Sequence, residues 1–239
     1  MISWMLRNSL YSHVISEATS ELERRGNDPF LIFFKAFALV MVEKEMEAVR
    51  EVSIIQRRRD MEYPGTCLML FINKRSKSPD HRELDALEQS LYQSEGNCGE
   101  QGFLLASAFH LYSGNYQEAR RLVSKVVSPS GKAMNQTQVQ AHTLNAWIEL
   151  KASPPVSSSD SSLDFVDMLE DPSMSRDIDC LLAKATFYSA RGRYTSALDQ
   201  LNEAIALESW FTPALIEKSK IFMSTGEWDQ ADEVRVQQQ

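Results

Sequence analysis

Apolar residues recur along this chain at intervals of three and four, the spacing that lines one side of an α-helix. Ile32, Ala36 and Leu39 form one such stripe; Leu84, Leu87 and Leu91 form another. No segment reads convincingly as a strand, and the stripes come in pairs separated by short polar breaks. The pattern therefore predicts about ten to twelve helices in antiparallel pairs. Near the C-terminus it repeats at a fixed distance. Gly192, Arg193, Tyr194 and Ala197 are matched 34 positions later by Gly226, Glu227, Trp228 and Ala231. The same shift carries Leu181 onto Leu215, Ala185 onto Ser219 and Tyr188 onto Phe222. Counted from the first helical residue of each unit, small residues fall at the eighth and twentieth places, where they let two helices approach closely. A glycine at the fifteenth place ends the first helix, and an aromatic two places on fills the gap between the two.

A helix-turn-helix unit of this length and pattern is a tetratricopeptide repeat, so the expected fold is all-α, a right-handed α-solenoid. Residues 178–211 and 212–239 are the two clear repeats. The second is expected to be cut short, because a helix starting near Asp229 needs residues beyond Gln239 to finish. The template also fits 100–135, with Phe103, Ser107, Gly114, Tyr116 and Ala119 at the expected offsets. It fits 29–62 in degenerate form: Ile32, Ala36, Leu39, Ala48 and Val52 hold packing places, but Glu43 and Glu45 replace the glycine and the aromatic. Asp28-Pro29 supplies the start signal there, an acidic cap followed by a proline at the first helical position. Residues 1–28 read as a leading helix or helix pair closed by Gly26, with Tyr11, Val14 and Ala18 in second-helix places. Residues 63–99 read as a divergent repeat, with an apolar block from Cys67 to Ile72, a break at Ser76 to Asp80 and the Leu84 stripe. Residues 136–177 read as a repeat-like pair, Val139 to Leu150 and then Leu163 to Leu169, around a Ser/Pro loop at 153–162.

Composition narrows the function. A 43% apolar and 24% charged chain is ordinary for a folded protein, and a net charge of -8 disfavours nucleic acid or an anionic membrane as main partner. Protein partners fit better. Cys67, Cys98 and Cys180 are odd in number and far apart, which suggests neither a disulfide framework nor a zinc ribbon and fits a reducing compartment. The Asn135-Gln136-Thr137 sequon is read as unused, because no signal-peptide apolar run follows Met1. The most apolar stretch, Phe30 to Val42, is too short to span a bilayer and contains Lys35, so it is read as a buried helix.

The sequence shows no convergent catalytic set. The four histidines, His13, His81, His110 and His142, lack metal-ligand spacing, and His110 falls at a core position. Gly96, Gly99 and Gly102 mimic a phosphate loop but follow no strand, which makes them a linker between repeats. No nucleophile motif is visible, so no catalytic, cofactor or metal residue is assigned. Arg57-Arg58-Arg59 ends a second helix, where cations complement the dipole, and is otherwise a docking patch for an acidic partner. Trp228 is read as turn packing and Trp210-Phe211 as a staple between repeats. Ser153-Pro154 suits a proline-directed kinase. The face suited to a helix or extended peptide is the concave side formed by first helices; in the clear repeats Leu182, Thr186, Ser189, Ile216, Lys220 and Met223 point there. Only Lys220 sits where a carboxylate-clamping chaperone cofactor would need a cation.

Several runs together resemble one family. They are Tyr11-Ser12-His13-Val14, Gly26-Asn27-Asp28-Pro29, Phe34-Lys35-Ala36-Phe37, His110-Leu111-Tyr112-Ser113-Gly114 and Ala146-Trp147-Ile148. Leu182-Ala183-Lys184-Ala185, Tyr194-Thr195-Ser196-Ala197-Leu198, Phe211-Thr212-Pro213-Ala214 and Trp228-Asp229-Gln230 follow in the same order. Across nearly its whole length the chain is similar to the N-terminus of the tetratricopeptide repeat protein twenty-one family, large subunits of the intraflagellar transport A complex. The resemblance implies a non-enzymatic scaffold, cytoplasmic and at the cilium and its base, without cofactor. It would act in retrograde transport and ciliary cargo entry beside other A-complex subunits and cargo adaptors, with no nucleic acid and no membrane insertion. It also implies that this chain is the first fraction of a longer protein. A generic repeat adaptor or co-chaperone outside cilia is the alternative.

Overall fold

A computed structural model describes residues 1–76, 79–127, 135–152, 169 and 174–236. Among these residues there are thirteen α-helices, one 3-10 turn and no strand. Contacts divide the chain into two compact units, Met1–Val126 and Val127–Gln239.

The first unit holds α1 (Ile2–Arg7), α2 (Tyr11–Arg25), α3 (Pro29–Met41), α4 (Glu45–Ile55), α5 (Glu62–Arg75), α6 (His81–Glu95), α7 (Glu100–Tyr112) and α8 (Tyr116–Val123). The second holds α9 (Gln136–Ala152), α10 (Ile178–Ala190), α11 (Tyr194–Leu207), α12 (Thr212–Thr225) and α13 (Trp228–Val236). Within each unit helices pack chiefly on their neighbours in sequence, with α5 also packing on α7. That consecutive packing of helix pairs is an all-α solenoid arrangement. The Ser/Pro loop, the Leu163 to Leu169 helix save Leu169 itself, and the Gln237-Gln238-Gln239 ending lie outside the described residues. So does the end of the 100–135 repeat.

Local chemistry sets the helix starts. The Asp28 carboxylate accepts from Phe30 N–H at 2.9 Å and Leu31 N–H at 3.3 Å, with Pro29 at the first position. Asp80, Asn115 and Asp177 cap α6, α8 and α10 the same way. The sequon residue Asn135 accepts from Gln138 N–H at 2.8 Å at the start of α9. Each such cap satisfies donors the helix itself leaves unpaired.

Among the described residues, the turn between two paired helices is built five times by one device. After α3 the N–H of Lys44 donates to Leu39 O, and the equivalent bonds are Leu10 to Met5, Asn115 to His110, Arg193 to Tyr188 and Glu227 to Phe222, all 2.9 Å. This is the Schellman closure, which requires a left-handed residue just before the donor. Gly114, Gly192 and Gly226 supply it with φ of 83, 70 and 81°. Glu43 and Ser9 supply it without being glycine, at φ 63 and 58°. The missing glycine in the 29–62 repeat therefore does not change the turn. Ser9 also breaks the leading segment into α1 and α2.

Close approach at the eighth and twentieth places holds the pairs together. Ala36 and Ala48, and Ala185 and Ala197, are buried at these places. In two further pairs a serine takes the eighth place and donates to the carbonyl at the twentieth: Ser107 to Ala119 O at 2.8 Å and Ser219 to Ala231 O at 3.5 Å. A larger side chain at either place would force the helices apart.

Candidate functional site

In a helix-pair array the face available to a partner is the side of the first helices that looks away from their own second helices. The fifth, ninth and twelfth places of each first helix mark it. In the second unit these are Leu182, Thr186 and Ser189 on α10, and Ile216, Lys220 and Met223 on α12. Thr186 and Lys220 are exposed, Met223 is 45% exposed, and Ser189 and Ile216 are half-buried. Leu182, expected among them, is instead buried at 1% exposure and contributes to the unit's interior; it offers nothing to a partner. Thr186 Oγ1 donates to Leu182 O at 2.8 Å, and Lys220 Nζ lies 2.9 Å from Glu217 Oε1. This face is mixed in character.

The same places in the first unit carry Phe33, Phe37 and Val40 on α3, and Leu104, Ala108 and Leu111 on α7, every one of them buried. The face is filled by aromatic rings from three first helices. Phe109 of α7 meets Phe33 at 6.1 Å, Phe37 at 5.6 Å and Phe71 of α5 at 5.5 Å, each near perpendicular. Phe34 meets Tyr112 at 6.0 Å beside them. Edge-to-face pairs of this kind add to the stabilisation from burial. The available signal in the sequence was that the α3 segment is apolar on all sides, since such a helix must be covered on all sides. Which helices cover it depends on tertiary contacts that no local pattern encodes.

The polar centre of the first unit is a clamp on α6. Arg121 of α8 reaches Glu95 at 2.6 Å and Glu118 at 2.6 Å, and Lys125 also pairs with Glu95. Hydrogen bonds from Lys125 and Arg121 hold Glu95 below the usual carboxylate range, and the Arg121 bond does the same for Glu118. Tyr63 OH accepts from Arg121 at 3.4 Å, and its phenol is pushed up by burial. His110 beside this group is pushed down to about 4, mainly by burial, so it is neutral at physiological pH. These groups satisfy one another and leave no group poised for proton transfer.

Burial raises all three thiols, Cys98 to about 11 and Cys180 to about 12, with Cys67 further still, so none is a ready nucleophile. Gly102 lies in α7, where an added Cβ would come within 2.6 Å of Cys98 Sγ and 3.1 Å of Asp60 O. Gly102 thus serves close packing, whereas an added Cβ at Gly96 or Gly99 meets nothing within 4 Å. Among the described residues no group of three or more His, Cys, Asp or Glu could hold a metal ion, and no helix is long and apolar enough to cross a membrane.

The tryptophans divide. Trp147 is buried and donates Nε1–H to Asp179 at 3.2 Å, tying α9 to α10. Phe211 is buried at the junction of α11 and α12, but Trp210 beside it is exposed. Trp228, expected to pack as Tyr116 and Tyr194 do, is 65% exposed. It heads the last described helix, and no described helix beyond α13 covers its ring.

Residues 2–232 match the sequence model of a family described as Tetratricopeptide repeat protein 21 N-terminal ARM repeat. Tetratricopeptide repeat protein 21B of Homo sapiens is 25% identical over 233 residues, 98% of this chain and 17% of that protein. Tetratricopeptide repeat protein 21A of Mus musculus is 26% identical over 233 residues, 97% of this chain and again 17% of the relative. The chain spans about a sixth of the length of the relatives it matches, 17% in each case.

Proposed function

The chain belongs to the tetratricopeptide repeat protein 21 family, and from that premise we propose that it is a non-enzymatic protein-interaction scaffold of the intraflagellar transport A complex. In this reading it acts at the cilium and its base, in retrograde transport and cargo entry, beside other A-complex subunits and ciliary cargo adaptors. The observation that carries it is the family match across residues 2–232, because similarity spread over every helix pair favours a shared assembly role over a shared repeat alone. The first-helix positions of the second unit that are exposed (Thr186, Lys220 and Met223) or half-buried (Ser189 and Ile216) are the proposed contact surface. Such a face takes a helix or an extended segment of a partner.

A tagged pull-down from ciliated cells, read by mass spectrometry, tests this. The control carries Ala185→Arg and Ala197→Arg, which force α10 and α11 apart. Recovery of A-complex subunits with the native chain and their loss in the control is the expected result. Absence of those subunits, with the native chain shown by circular dichroism to be helical, would overturn the reading.

A further inference from the structure

On α3 and α7 of the first unit the first-helix face is buried, with Phe33, Phe37, Phe71 and Phe109 packed together there. The outer surface of α4 has a particular composition. Met46 is 72% exposed and Ile54 58% exposed, the largest exposed apolar side chains on the helix. Arg50 lies between them, so that the three form one stripe about 12 Å long, and Arg57 lies in the turn two residues past the helix end. Arg58 and Arg59 adjoin it.

Three acids near this stripe are already engaged, whereas Glu43, Glu45 and Glu62 form no ion pair with another described residue. Glu47 pairs with Lys44 at 3.6 Å, Glu51 with Lys35 at 2.7 Å and Asp60 with Arg58 at 3.4 Å. Arg50, Arg57 and Arg59 are exposed and form no ion pair with another described residue. A basic helix end alone would be explained by the helix dipole. That account leaves out Arg50, which is in mid-helix, and the two apolar side chains that flank it.

We propose that the outer stripe of α4 docks an acidic amphipathic helix of a partner protein. Apolar side chains of that helix cover Met46 and Ile54 while its carboxylates pair with Arg50, Arg57 and Arg59. Charge complementarity selects the partner: on a chain of net charge -8, a local group of unpaired arginines attracts acidic segments that the rest of the surface repels. The inference rests on the scaffold reading and adds a second contact surface to it.

The test is fluorescence anisotropy with the whole chain and a short labelled peptide of glutamates and leucines at helical spacing. The native chain should bind it, with affinity falling as salt rises. Arg50→Gln with Arg57→Gln should weaken binding about tenfold, and Met46→Ser with Ile54→Ser several-fold. Arg193→Gln, at an exposed cation of the second unit outside the proposed contact surface, should change nothing. Circular dichroism establishes that each variant is folded. No binding by the native chain, equal binding of a peptide with lysines in place of glutamates, or unchanged binding by both double variants would overturn the proposal. Binding to phosphatidylserine vesicles that the arginine variant abolishes, with no peptide competition, would overturn it in favour of a lipid surface. Peptide binding without recovery of A-complex subunits would sink the ciliary reading and leave this one standing.

Discussion

Phe37 and Lys220 hold the same place in their helix pairs, the ninth of the first helix, yet one is fully buried and the other exposed. The backbone around them is equivalent: both first helices end in the same Schellman turn, and both pack against the second helix through small residues at the eighth and twentieth places. What differs is the side chain offered to the far side. Four phenylalanines in the first unit close that side into a core, whereas threonine, serine, lysine and methionine in the second leave theirs accessible. One repeat backbone thus serves as a stable body or as an accessible surface, depending on the side chains at the fifth, ninth and twelfth places and on aromatic rings at the tenth place of neighbouring first helices.

The largest effect should come from opening the closed side. Phe109→Ala removes the ring on which Phe33, Phe37 and Phe71 converge, and truncating a buried phenylalanine costs about 3–5 kcal/mol. Thr186→Ala, at an exposed place of the other unit, should stay within about 0.5 kcal/mol. Hydrogen exchange resolved by helix is the measurement, with protection expected to fall in α3, α5 and α7. Equal losses from the two substitutions would break the comparison.

Acid should separate the units next. His110 titrates at about 4 in the folded protein against an ordinary 6.5, so the unfolded chain binds the proton first and stability falls as pH drops from 6.5 towards 4. Glu95 and Glu118 are held below 4.5, so the stability from their clamp is present above that value and is lost as pH falls through their folded values. Asp177, in the second unit, is raised by burial above 3.8; its folded form keeps a proton longer, so the sign reverses there. Exchange at pH 7 and pH 4.5 should show α7 loosening while α10 holds, and α6 and α8 should follow only below pH 4.5. Parallel loosening of α8 and α10 would contradict this assignment.

Much of the fold was legible because its determinants are local. Asp28-Pro29 marks a helix start within a few residues, and the glycines at 114, 192 and 226 announce left-handed turns. The site was less so. Leu182 looked accessible by register and is buried, Trp228 looked buried by analogy and is exposed, and the ring cluster on Phe109 joins residues up to 76 positions apart. Register fixes the direction of a side chain from its own helix; it does not say whether another helix stands there.

The smallest effect concerns the turn the two units share. At Gly192 an added Cβ meets nothing within 4 Å, so Gly192→Ala carries only the cost of placing an L-residue at φ 70°. That is about 1 kcal/mol after allowing for the stiffer unfolded chain. Glu43 already bears such a cost at φ 63°. Glu43→Gly reverses the same two terms, so it should stabilise by about 1 kcal/mol. Urea denaturation of both variants checks the pair. A loss above about 1 kcal/mol for Glu43→Gly would mean that the glutamate side chain itself steadies the first unit, and that its turn is not equivalent to the one at Gly192.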